Sequence, residues 1–525
     1  MLDSVPGLIE RFAALRISIV VSSALALLMG GAASAKDHRS VVLLHQALAA
    51  QGGEQKLRSL KSVQWEASGY RNGLEESERP EGPYIVEFDT MAEVHDWAGH
   101  RYRSVTDAAF YPVAKFSSGT VVERDVVMRL SGENKSPGTA LQLKIVQERE
   151  ALSPERLLLT ALDASDVHTE PDTTLQSVPQ NVIAFSLDDA PVRVYLNVYT
   201  HLPTAVDYSG PLARNGYWSF LGDVTARTYF SLWWLAKNGI HLPMQWNMES
   251  NGMPDQMYVL RKLQIDEPLV EADLSIPQEL RAKFQPGAPA IDLDNRPLGD
   301  PQQPAKELAP GVVFIPGSWN ATLVRQDDGI VILEAPISSG YTGKVIAEAR
   351  RRFPGQSIKA VITTSDSWPH LAGIRECAAQ GIPIYALDLN RPILERVIAA
   401  PYTSKPDAQQ RSPRRPIFHL VHDKTVLGTG ANRIEIYPIR GETSERQLMV
   451  FFPEHNLLYG SDPFQVSADG SFFYPQTVTE LTDAVAREHL AVSEFFMMHV
   501  GLTQWSELNK AVAAAELHDT PSGVL

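Results

Sequence analysis

Short runs of β-branched and aromatic residues, each bounded by turn residues, dominate the first half of the chain. Residues 182–187, 192–199, 228–235 and 257–265 read as strands. Leu202-Pro203 and Leu242-Pro243 each follow a turn and open another strand, a place where proline costs no ladder hydrogen bond. Helical signals are few. Residues 41–51 stop at Gly52-Gly53, a C-cap signal. Residues 156–164 start behind Ser153-Pro154-Glu155, with Ser153 expected as N-cap and Pro154 at the first helical position. A large antiparallel sheet with one or two covering helices follows, over residues 41–276.

From Gly311 the pattern changes to strand, strand, helix, strand, helix. Residues 312–315, 321–324 and 330–333 are strands, the last two joined through Asp327-Asp328-Gly329, a hairpin signal. Residues 341–352 read as a helix. Residues 358–364 form a buried strand that runs into Ser365-Asp366-Ser367-Trp368-Pro369-His370, followed by a helix from Leu371 and a strand over 382–386. Between the two patterns lie prolines 286, 289, 297, 301, 304 and 310, alternating with polar residues; that segment reads as an extended linker.

The first 35 residues read as a signal peptide. Arg11 and Arg16 precede an uncharged stretch over 17–35 that closes on Ala33-Ser34-Ala35, the small-x-small pattern of a cleavage site. An uncleaved anchor is the alternative, because that stretch approaches spanning length. Export to the periplasm or exterior follows, with no membrane span after cleavage. The sole cysteine, Cys377, cannot form an intrachain disulfide and reads as a buried small hydrophobe. A net charge of −15 over 525 residues argues against a nucleic-acid partner, which needs clustered Lys and Arg.

The N-terminal half resembles the curved half-barrel of the outer-membrane lipoprotein-sorting fold, on three pieces. These are the opening helix with Gly52-Gly53, the helix after Ser153, and the strand start Gly239-Ile240-His241-Leu242-Pro243. The resemblance implies a concave apolar face suited to a hydrophobic or other small-molecule ligand. Trp218, Trp233, Trp234 and Trp246 would line that face or fill the domain's own core.

The C-terminal half resembles the metallo-β-lactamase fold over roughly residues 311–514. The matching pieces are the Thr363-Thr364 strand end, the Gly373-Ile374-Arg375 helix, the hairpin Pro453-Glu454 to Leu457-Leu458-Tyr459-Gly460-Ser461-Asp462, and Met498-His499-Val500-Gly501 with Trp505. The fold class expected is α+β, with signal peptide 1–35, a curved antiparallel sheet domain 36–285, a linker 286–310 and an αββα sandwich 311–525. The family's loop after the Thr-Thr strand reads His-x-His-x-Asp-His and holds two zinc ions, which make a metal-bound hydroxide available near neutral pH.

Here Ser365, Ser367 and Pro369 stand at three of those positions and only His370 remains. Glu442, in Gly441-Glu442-Thr443, stands where a further His is expected. The resemblance places Asp462 at the bridging carboxylate and His499 at the last His. The first metal site should be empty, and the second keeps His370, Asp462 and His499, enough for at most one Zn²⁺ or Fe²⁺. Glu442 and the more remote Asp366 are candidate substitute ligands. Bland roles stand beside these: His370 as a packed helix residue, Asp462 as a turn cap, His499 as a core histidine. No Gly-x-Ser-x-Gly elbow, His-Glu-x-x-His helix or phosphate loop is present. Two functions are expected: a non-catalytic binding or accessory protein with a degenerate metal site, or a mononuclear metal-dependent hydrolase using the three survivors.

Overall fold

The computed structural model describes residues 36–515 apart from 75–81, 83, 111–113, 216–219, 289–291 and 463–474. The expected signal segment and Trp218 therefore lie outside the described residues. No described helix is long and apolar enough to cross a membrane.

The first half is one antiparallel sheet of thirteen strands among the described residues. It runs from Asn134–Pro137 at one edge, through the central pair Ser62–Asn72 and Met253–Ile265, to His168–Leu175 at the other. Helix His38–Gln51 packs on it and stops at Gly52, whose φ of 126° only glycine adopts freely. A Cβ there would sit 2.5 Å from the Gly239 carbonyl, so the residue also permits that close approach.

One helix was not foreseen and one expectation needs correction. Helix Ala140–Ala151 carries no apolar stripe; it is set by a capping box between Thr139 and Gln142. The next helix, Leu157–Asp163, has no side-chain cap, and the Ser153 hydroxyl has no hydrogen-bond partner. The Ser153 carbonyl instead accepts from the amides of Arg156 and Leu157, which closes a turn one residue ahead of the helix. Of the tryptophans, Trp233 and Trp246 pack against the core, whereas Trp234 is 62% exposed.

The second half stacks two sheets face to face. The inner faces meet through Val312, Phe314, Val331, Leu333 and Ile362 on one side and Ile434, Ile436, Val450, Phe452 and Phe496 on the other. Outward-pointing residues of the first sheet (Val313, Leu323, Ile330, Ile332) pack on helix Ser339–Arg352. Those of the second (Tyr437, Met449, Phe451, Leu458) pack on helices Pro475–Arg487 and Trp505–Ala515. Each strand thus serves two apolar layers by its own alternation, which is why these strands read as continuous hydrophobic runs.

The proline-rich segment does more than connect. Lys306–Ala309 is a strand paired with Val312–Ile315 at the edge of the first sheet. Asp294 accepts from the Gly340 amide at 2.9 Å and pairs with Lys405 at 2.6 Å, while Lys344 donates to the Arg296 carbonyl. Ahead of it, the Asp223 carboxylate accepts from the amides and hydroxyls of both Thr403 and Ser404. Buried residues from Leu44 to Ile398 form one continuous apolar cluster.

Candidate functional site

Several strands of the sandwich end at one edge. There lie Glu334 after Gly329–Leu333, the 363–370 loop after Ile358–Ile362, residues 460–462 after Leu457–Tyr459, and 497–499 after Glu494–Phe496. The Leu448 amide donates to the Thr364 carbonyl at 2.8 Å and the Met498 amide to the Ser461 carbonyl at 3.1 Å, which ties the loops of both sheets together.

His370, Asp462 and His499 do come together. His370 Nε2 is 3.4 Å from Asp462 Oδ2, and His499 Nε2 is 3.6 Å from Asp462 Oδ1. The two Nδ1 atoms are held from behind, that of His370 by Glu334 Oε1 and that of His499 by the Ser318 carbonyl, each at 3.0 Å. Glu334 is the residue that sequence reasoning missed. It is 1% exposed and accepts from the Thr364 amide, the Thr364 hydroxyl and the Tyr459 hydroxyl as well as facing His370. Its φ of 73° is costly for a non-glycine residue and is held by this network. The available signal was a carboxylate directly after the buried strand Ile330-Val331-Ile332-Leu333.

His370 is fully buried. Burial would lower its pKa, but the Glu334 and Asp462 carboxylates on either side overcome that and push it up to about 10.

The remaining loop positions are buried or remote. Ser365 and Ser367 are 0% and 1% exposed, and the Ser365 hydroxyl accepts from the Ser367 amide at 3.2 Å. Trp368 is buried and meets Trp319 edge to face at 5.5 Å. Glu442 is exposed, and its neighbours Thr443 and Ser444 are tied to Glu480 instead. Among the described residues no group of three or more His, Cys, Asp and Glu side chains is arranged to hold a metal ion. With buried serines and Pro369 at the other loop positions and Glu442 exposed, the residues are a poor fit to a resident ion.

Asp366 lies beside Arg446, whose Nε is 4.0 Å distant. Neither carboxylate oxygen has a hydrogen-bond partner, and burial pushes its pKa up to about 7. The ordinary value is 3.8, so its stabilising share is complete below about pH 3.8 and is lost as pH rises through about 7. Asp366→Asn should therefore stabilise the protein at pH 8 by upward of about 2 kcal/mol and leave stability near pH 4 little changed. Urea melts at the two pH values check this; equal effects at both would show that the charge is compensated.

Neither a search of protein-family models nor one of curated proteins finds a match. Solved structures do overlap part of the chain. The DIM-1 metallo-beta-lactamase is 16% identical over 40% of this chain and 96% of its own, with a TM-score of 0.32. FIM-1 from Pseudomonas aeruginosa, solved in its mono-zinc form, is 14% identical over 41% and 96%, also at 0.32. The sec-alkylsulfatase Pisa1 from Pseudomonas sp. is 12% identical, with 41% of this chain covering 40% of its length at 0.31. These neighbours are metallo-beta-lactamase-fold hydrolases; the overlap does not extend to an activity of this chain.

Proposed function

We propose that this chain is an exported, non-catalytic relative of the metallo-β-lactamase-fold hydrolases, a binding or accessory protein with an N-terminal sheet domain and a degenerate metal site. The observation that carries the reading is the position of His370, fully buried and held by the protein's own Glu334 and Asp462 carboxylates on its two sides. Buried serines and Pro369 at neighbouring ligand positions support the same reading, because they offer no charge to a second ion.

A second reading has its own support. Both histidines turn Nε2 toward Asp462 while their Nδ1 atoms are held by oxygen acceptors, the ring orientation that metal-ligating histidines share. Under it one Zn²⁺ or Fe²⁺ would displace the His370 proton, bound by His370, Asp462 and His499, and would supply a hydrolytic hydroxide.

Metal analysis of protein purified from the cell envelope decides between them. We expect a mature chain beginning at Lys36, no stoichiometric zinc or iron, and a Tm unmoved by a chelator. One bound equivalent that disappears in His499→Ala would establish the mononuclear hydrolase reading instead. Two tightly bound equivalents would overturn both.

A further inference from the structure

Beneath the turn that joins Ala140–Ala151 to Leu157–Asp163, three hydrogen-bond donors are held out of water with nothing to donate to. The Arg156 guanidinium lies 4.3 Å over the Trp97 ring. Its Nε, the Trp97 Nε1 and the Ser153 hydroxyl are all buried without a partner, and Ser153 as a whole is 8% exposed. Glu155 and Glu150 reach Arg156 only through their fields, and not by hydrogen bonds. Burial is the largest influence on this partly buried guanidinium and lowers its pKa, against the opposing fields of Glu155 and Glu150.

We propose that Arg156, Trp97 and Ser153 form a binding site for a small oxyanion, a carboxylate or phosphate group, beneath this turn. Oxyanion oxygens accept only, and one such group can take a guanidinium N–H, an indole N–H and a hydroxyl together. A cation would meet donors of the wrong polarity.

Three carboxylates lie near the site, and Glu155 and Glu150 act on Arg156 through their fields. Glu93 is already engaged, accepting from Arg149 at 2.6 Å and lying 3.1 Å from His95, whose ring stacks on Trp97 at 5.1 Å. Glu150, pushed up to about 7 by burial, is half-neutral near physiological pH. Glu155 Oε1 and His95 Nδ1, also buried without partners, would meet the hydroxyl or amine groups of a larger ligand. This site is built on the large sheet and its covering helices, and it is independent of the reading given to His370.

Calorimetric titration of the mature chain with inorganic phosphate and, separately, with acetate tests the proposal, alongside thermal melts in the same buffers. Saturable binding with a rise in Tm is expected from at least one of the two. Phosphate alone would indicate a phosphorylated ligand, acetate alone a carboxylated one. Arg156→Met should weaken binding by at least about tenfold, yet melt higher than wild type in anion-free buffer. Trp97→Phe keeps the ring under Arg156 and removes the N–H, so it should weaken binding several-fold with little change in Tm. The proposal is wrong if neither anion saturates, or if Arg156→Met melts lower in anion-free buffer. Should that variant not fold, the Trp97→Phe titration decides, with unchanged affinity counting against the site.

Discussion

Arg375→Ala should cost about 3–5 kcal/mol, much of the 5–15 kcal/mol margin of a typical folded domain. The side chain is 1% exposed and forks onto Asp407, with Nε and Nη2 at 2.6 and 3.0 Å from its two oxygens. Its Nη1 donates to the carbonyls of Val397, Ile398 and Ala400, which closes the end of helix Arg391–Ala399. The guanidinium also lies 4.0 Å from the centre of the Tyr402 ring. Removing it strands a mostly buried carboxylate and three acceptors at once. Arg375→Lys keeps the charge but not the fork and should recover less than half of the loss. Urea denaturation measures both; a loss below about 1 kcal/mol for the alanine variant would mean that solvent replaces these contacts freely.

His370→Ala should be nearly as damaging, because it leaves Glu334 and Asp462 facing each other without the cation between them. A loss of about 3–5 kcal/mol is expected near neutral pH, against about 1 kcal/mol or less for the partly exposed His499. The effect should depend on pH. The folded pKa of about 10 lies above the ordinary 6.5, so the stabilisation is complete below about pH 6.5 and is lost as pH climbs through about 10. In His370→Gln the alkaline fall in stability should flatten across that window. An alkaline limb identical to that of wild type would show that the ring is neutral in the folded protein.

The strands were legible because alternation is a local signal that burial on two faces only strengthens. Residues 182–187 and 257–265 fall inside observed strands, and the stop at Gly52 follows from a backbone angle that glycine alone adopts freely. Helix Ala140–Ala151 was not legible, since its buried positions are Val146 and Glu148 and present no apolar stripe. Ser153-Pro154 misled for a different reason: a hydroxyl can cap only if the following turn brings an amide to it, and here the carbonyl takes those amides. At the candidate site the sequence pointed to His370, Asp462 and His499, which do converge. It did not point to Glu334, because an acid after a strand looks the same whether it reaches solvent or turns inward to a histidine thirty-six residues later in the chain. Nor does proline punctuation reveal long-range anchoring. Nothing local to Asp294 announces that it will meet Gly340 and Lys405.

The strand Lys306–Ala309 has a consequence for solubility. It covers the outer edge of Val312–Ile315, four residues that are all buried. A fragment begun at Gly311, where the hydrophobic pattern changes, would present that edge as an open row of backbone donors and acceptors backed by valine, phenylalanine and isoleucine. Such an edge recruits further strands, so the severed half would be drawn into self-association. The short strand ahead of Gly311 acts as a guard against edge-to-edge pairing, and the shorter fragment lacks it.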